Sequence, residues 1–345
     1  MASPQPSNER QVLIPTDLKL DHLRGANSGL EVVLLEGETM GSYWRLHYQR
    51  PPHISSTHIR RRAELSFDLV IRQMSHWDAE SELSRFNAAP AGERFQLSPE
   101  FRAVLRQALE IAKLTDGVYD PTVGRLVAGA GFGPHAGSPE QMPDTRGSWR
   151  DLSLHADGSA SHAGHCQLDL SSIAKGYAID HAAAGLKQLG IHDFLLEIGG
   201  EFRGEGCKPD GQPWWVALDP MGKQAAEAQT VAALCGISLA TSGIAEQRIR
   251  MEDGESHHLI DPATGRSAVG ALQAVSVLAP TCMLADAWAT ALFVLGESRG
   301  AECAEQHGIA ASFVTRAGAG FHEKITPAYT RMLTDSSEDG DSVDA

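Results

Sequence analysis

Apolar and polar positions follow two rhythms along this chain. Leu30 to Leu35 is an apolar run and Tyr43 to Tyr48 alternates, which predicts an early β-hairpin. Ile59, Ala63, Phe67, Val70 and Met74 recur at the spacing of one helix face. A second helix carries its own punctuation. Ser98 offers a capping oxygen, Pro99 suits the first turn, Phe101, Val104, Leu105, Ala108 and Ile111 form an inner face, and Asp116-Gly117 ends it. Further along, a helix over 173–189 precedes a strand from Phe194 to Ile198 that closes on Gly199-Gly200. A late strand from Gln273 to Ala279 meets Pro280, and a helix follows from about 282 to 295. Strands and helices mixed in this way predict an α+β class, because each sheet must bury a face against helices.

The edges of the pattern set the domain limits. Residues 1–30 are polar and contain Pro and Ser, and are expected to form a loosely ordered arm. One compact domain spans 31–330, with a Gly-, Pro- and His-rich insertion near 133–165 that reads as a long connection or small hairpin. Residues 331–345 form an acidic tail too poor in apolar residues to fold. No internal repeat is visible.

Charge narrows the partners. Among 345 residues, 29 are basic and 44 acidic, a net charge of −15, which disfavours a nucleic-acid partner. An anionic ligand on such a protein needs a local exception: a metal ion, a lysine or free backbone N–H groups. The five cysteines are scattered without a CxxC pair, so neither a disulfide framework nor a zinc knuckle is expected. The start of the chain has no apolar run of signal length and no lipobox cysteine, and nowhere do ~20 apolar residues run together. A cytoplasmic location without membrane insertion is the expectation.

Five segments carry candidate chemistry. In TCMLADAWATALFVLG, Asp286 and Thr290 are four apart and share a helix face, offering two hard oxygens to one Mg²⁺. The pair also reads as a solvated Asp beside a Thr bonded to its own helix. In LDLSSIAKGYAID two serines open a helix and Lys175 falls in its first turn, an awkward place for a cation unless a phosphate lies there. Gly199-Gly200 permits close backbone approach or is a plain turn. Thr241, Ser242 and Gly243 read as a small polar turn. His257 and His258 are adjacent, so on a strand they point to opposite faces; one is a candidate base, and both also read as structural. Trp77 and Tyr119 are loop aromatics, each followed by an acid, that stack a flat ring or pack on the protein.

In order, ETMGSYW, MSHWDAESELSRFN, GVYDPTVG, LDLSSIAKGYAID, LEIGGE, LATSG, HLIDPATG and ADAWATALFVLG resemble the ApbE-type FAD:protein FMN transferases, over about Gly37 to Gly296. The resemblance implies twisted, mainly antiparallel sheets packed with helices. It implies Mg²⁺ held by Asp286, Thr290 and the backbone carbonyl of Ala174. It implies FAD lined by Met40, Trp77, Val118, Tyr119, Asp120, Ser171, Tyr177 and His258; Lys175 and the Thr241-Ser242-Gly243 stretch are added from the residues themselves. The implied reaction is Mg²⁺-dependent transfer of FMN from FAD to a Thr or Ser hydroxyl of an acceptor flavoprotein, releasing AMP. Asp286 would serve through the metal and His258 as base or orienting group. With water as acceptor the same site is an FAD pyrophosphatase, and without chemistry it is a flavin-binding or trafficking protein. Ile244 and Ala245 stand where the family has a polar residue and an aromatic, and His257 is an extra histidine beside the family position.

Overall fold

The computed structural model describes residues 11–16, 25–26, 28–134, 147–218, 230–244, 248–251, 254–318 and 320–334. In chain order they form β1 (Val12–Leu13), β2 (Val32–Thr39), β3 (Ser42–Gln49), α1 (Ser56–Met74), α2 (Glu82–Ala88), β4 (Phe95–Gln96), α3 (Pro99–Leu114) and α4 (Gly124–Gly129). Next come β5 (Leu152–Leu154), β6 (Ser159–His162), α5 (Ala174–Gln188), β7 (Phe194–Ile198), β8 (Glu201–Glu205), β9 (Trp214–Leu218), β10 (Thr230–Leu234) and β11 (Ile237–Gly243). The remainder are β12 (Arg248–Met251), β13 (Gly254–His257), β14 (Ile260–Asp261), β15 (Arg266–Ser267), β16 (Leu272–Ala279), α6 (Cys282–Leu295), α7 (Glu297–Gln306), β17 (Ala310–Ala317), β18 (Gly320–Ile325), α8 (Pro327–Thr330) and β19 (Leu333–Thr334).

The organising element is an eight-stranded antiparallel sheet in the order β18-β17-β16-β11-β8-β7-β3-β2. A four-stranded sheet, β19-β1-β10-β9, packs beneath it. Strand β16 explains why the late apolar run has no polar face: all eight of its residues are buried. Val277 belongs to the large core under the helices, and its neighbour Leu278 to the smaller core against the second sheet. Helix α5 packs between α1 and α6, and α6 lies against β11 and β16. The α+β class and the mainly antiparallel sheets are therefore as expected. Among the described residues no helix is long and apolar enough to cross a membrane.

Local signals place several elements. Ser98 caps α3 by accepting from Phe101 N–H, and Pro99 sits in the first turn. Replacing Ser98 by alanine should cost about 1 kcal/mol, read as a lowered chemical-denaturation midpoint with unchanged slope. The helix ends where Thr115 Oγ1 turns back to Ile111 O at 2.8 Å and Asp116 and Gly117 take positive φ. Part of the stretch read as a loose arm is ordered: β1 pairs parallel to β10 and antiparallel to β19, with Leu13 buried. Of the expected acidic tail, 331–334 are ordered, with Leu333–Thr334 forming β19, and 335–345 lie outside the described residues. Within the insertion, β5 and β6 form the small hairpin, while 135–146 lie outside the described residues.

Candidate functional site

A cleft of about 1580 Å³ opens beside the helix-covered side of the large sheet. Its walls come from parts of the chain that are far apart in sequence. Met40 stands at the tip of the β2–β3 hairpin, where Met40 (φ 49°) and Gly41 (φ 71°) both take positive φ. A non-glycine residue is strained by about 1 kcal/mol in that region, so the hairpin tip is held there by its surroundings. Trp77 follows α1 and is 69% exposed at the rim, next to the His76 ring. Val118, Tyr119 and Asp120 follow α3, fixed by Tyr119 N–H donating to Thr115 Oγ1 at 3.1 Å.

The opposite wall is built at the start of α5 and on α6. Ala174, Lys175, Asp286 and Thr290 all line the cleft, so the first turn of α5 and the second and third turns of α6 meet there. Asp286 is 5% exposed, and its Oδ2 accepts the Gly176 N–H at 3.0 Å. Thr290 Oγ1 lies 3.0 Å from Ser242 Oγ, which brings β11 to the same point. Gly176 makes this crossing possible. A Cβ at that position would come within 2.6 Å of the Cys282 carbonyl carbon and 2.7 Å of Met283 Cα, inside van der Waals contact of the α6 backbone.

Lys175 has an internal partner. Its Nζ donates to Glu201 Oε1 at 2.7 Å. Burial disfavours its charge, but Glu201 and Asp286 override this and hold its pKa above the ordinary value. The lysine in the first turn of α5 is thus accounted for by a buried carboxylate, without a phosphate. Burial in turn raises both the Glu201 and Asp286 carboxyls above the usual range, with Lys175 opposing. Two buried acids therefore share one ammonium, and Glu201 Oε2 has no hydrogen-bond partner among the described residues. A second cation fits this imbalance. The donors at hand, a carboxylate, hydroxyls and a helix-start carbonyl, are hard oxygens that suit Mg²⁺. Among the described residues, the grouped His, Cys and acid side chains are Asp151, His165 and Cys166, a softer set that is not part of the cleft lining.

Other predicted residues have local tasks. Asp120 accepts from Thr122 N–H at 2.8 Å, Thr122 Oγ1 at 2.7 Å and Trp149 N–H at 3.0 Å. Its carboxylate pins the loop beneath Tyr119. Ser171 turns its hydroxyl onto Asp169 at 2.5 Å, and His76 Nδ1 stands 3.7 Å from the same carboxylate. Burial would raise Asp169, but His76 and Ser171 pull it below the ordinary value. Tyr119 Oη accepts from Ser172 Oγ at 3.0 Å.

Thr241, Ser242 and Gly243 are the end of strand β11, paired with β16, where the sequence reads as a turn. All three still line the cleft. Of the adjacent histidines, His257 is buried and its Nε2 bonds the Ala268 carbonyl at 2.8 Å, while His258 lines the cleft 6.1 Å from the Phe132 ring. Tyr177 is not brought to the cleft; its ring tilts against His181 at 6.0 Å. Ile244 is buried in the core, and Ala245 lies outside the described residues.

Sequence reasoning missed His76, Asp169, Ser172 and Glu201. Each sat inside a quoted motif, but nothing in the spacing marks that Glu201 meets Lys175. The one available signal was the acid placed directly after Gly199-Gly200, whose φ angles of 58° and 99° set the turn from which Glu201 enters.

The ApbE family model matches residues 40–313. The FAD:protein FMN transferase of Haemophilus influenzae is 35% identical over 328 residues, covering 89% of this chain and 93% of that protein. The Escherichia coli K12 protein of the same name is 31% identical, covering 88% and 90%. The crystal structure of Pseudomonas stutzeri flavinyl transferase ApbE, apo form, superposes with a TM-score of 0.81 at 33% identity, covering 88% of this chain and 97% of that one. The order of motifs, the antiparallel sheet and these matches together show that the chain belongs to the ApbE family.

Proposed function

We propose that this protein transfers the FMN half of FAD to a Thr or Ser hydroxyl of an acceptor protein and releases AMP, in an Mg²⁺-dependent reaction. The observation that carries this reading is the meeting of Ala174, Asp286 and Thr290 in one cleft large enough for a dinucleotide. The names of its relatives support the same chemistry.

In this reading Asp286, Thr290 and the Ala174 carbonyl hold the cation. Bound Mg²⁺ supplies charge neutralisation and Lewis acidity at the phosphorus under attack. The chain's own residues do the rest. Trp77 and the Met40 hairpin tip bracket the flat ring of FAD at the rim. Lys175, tied to Glu201, keeps its ammonium beside Asp286 and limits the negative charge that the incoming pyrophosphate meets. His258 accepts the proton of the acceptor hydroxyl as the new P–O bond forms and the bond to AMP breaks. Most of the rate gain comes from positioning and charge stabilisation.

The test is incubation with FAD, MgCl₂ and a candidate acceptor. Flavin fluorescence that stays with the denatured acceptor, with AMP in equal amount, supports transfer. Free FMN with unlabelled acceptor assigns hydrolysis, and intact FAD overturns both. Trp77→Ala should leave the folded protein within about 0.5 kcal/mol of wild type, because the side chain is exposed. It should raise the KM for FAD roughly 2- to 10-fold, the worth of one aromatic stack, with a smaller change in kcat.

A further inference from the structure

The two helices that carry Ala174 and Asp286 exchange carboxylates at their starts. Asp286 of α6 accepts the Gly176 N–H in the first turn of α5 at 3.0 Å. Asp180 of α5 accepts the N–H groups of Cys282 at 3.0 Å and Met283 at 2.9 Å, the first two residues of α6. The local cap of α6, Thr281, takes only the Leu284 N–H, at 3.3 Å. Free N–H groups at a helix start are ordinarily served by a residue just ahead of it. Here two of them are served from another helix.

Asp180 is itself held. Arg203 Nη1 donates to Asp180 Oδ1 at 2.8 Å and to the Pro280 carbonyl at 3.1 Å. Its Nε and Nη2 grip Glu205 Oε1 at 2.9 and 2.6 Å. The guanidinium fork thus ties the approach to α6, the middle of α5 and strand β8 into one rigid knot. Asp286 stands one helical turn beyond Cys282, so wherever the start of α6 is fixed, the carboxylate is fixed with it.

We propose that Asp180, locked by Arg203, is a positioning residue for the cation site: it sets the crossing of α5 and α6 at which Asp286, Thr290 and the Ala174 carbonyl converge. The inference rests on the reading of those three groups as ligands. Residues that orient ligands without touching the metal commonly control affinity by 10- to 100-fold, which is about the effect to expect here.

The test separates positioning from plain helix capping. Mn²⁺, which takes the same oxygen ligands, is titrated into the full-length chain, and free Mn²⁺ is read by electron paramagnetic resonance. Asp180→Asn removes the charge and one of the two acceptor oxygens, and should weaken Mn²⁺ binding about 10- to 100-fold. Thr281→Ala removes the ordinary cap of the same helix without touching α5, and should leave Mn²⁺ binding within about twofold while lowering the thermal midpoint. FMN transfer by Asp180→Asn should recover toward the wild-type kcat as MgCl₂ is raised, because the lost element is the placing of the ligands. Unchanged Mn²⁺ binding in Asp180→Asn, or an equal loss in Thr281→Ala, overturns the proposal. A wild-type chain that takes up no Mn²⁺ overturns the cation reading itself, a result distinct from either. If Asp180→Asn does not fold, Arg203→Lys, which keeps the charge and loses the fork, is measured in its place against the same two outcomes.

Discussion

Asp286→Asn should slow FMN transfer by about 10³-fold or more, a loss of roughly 4 kcal/mol of transition-state stabilisation. The asparagine is chosen because its carbonyl still accepts the Gly176 N–H that Asp286 now takes at 3.0 Å. Alanine would leave that buried donor unpaired, at a cost of about 1–3 kcal/mol, and confuse folding with chemistry. Burial raises the Asp286 carboxyl, so its ionised form is held in the apo protein at some expense of stability. The amide removes that expense, and the thermal midpoint of Asp286→Asn in metal-free buffer should not fall. The combination of an intact midpoint with lost transfer is specific to a ligand role. A variant that transfers FMN within tenfold of wild type would show that Asp286 does not hold the cation.

Gly176→Ala should be strongly destabilising although it adds a single methyl. Glycine to alanine inside an exposed helix ordinarily stabilises by about 1 kcal/mol. At Gly176 the sign reverses, because the added carbon meets the Cys282 carbonyl and Met283 Cα, backbone atoms that cannot step aside. The helices must separate, and a loss of about 3 kcal/mol is expected, a fall in thermal midpoint on the order of 4–5 °C. Transfer should fall as well, since the Asp286–Gly176 contact lies at the same crossing. Gly185→Ala, on the same helix, is the control. Its Cβ meets the Arg62 guanidinium, the far end of a flexible side chain, so its effect should stay within about 1 kcal/mol. Equal denaturation midpoints for the two variants would mean that the close approach of α5 and α6 is not what Gly176 serves.

How much of this could be read from the residues alone differs from element to element. The α3 helix was legible to its ends because its signals are local: a capping serine, a proline in the first turn and a positive-φ pair after the last. Strand β16 was legible because burial on both faces leaves no polar position to confuse the run. The Thr241-Ser242-Gly243 stretch was read as a turn because small polar residues favour turns. It is strand because Thr241 pairs with Ser276 of β16, 35 residues on, and their hydroxyls bond at 2.8 Å. Tyr177 shows what the choice of helix face adds. It lies two residues from Lys175 on one helix, about 200° round the axis, so both could not face the cleft. The N-terminal arm was misjudged for a reason outside itself: two residues make a strand only because β10 and β19 offer edges on either side.

By itself the sequence determined the class of fold, the main helices and strands, the sharing of one helix face by Asp286 and Thr290, and the likeness to a family through motifs kept in order. These are properties of near neighbours, set by periods of two and three to four residues and by capping chemistry. Only the tertiary structure decided that Lys175 answers to Glu201, that His258 rather than His257 meets the cleft, and that α5 and α6 cap one another through Asp180 and Asp286. Those pairings join residues up to about a hundred positions apart. Nothing in either partner's local pattern encodes the other, because what brings them together is the burial of apolar faces elsewhere in the sheet and helices.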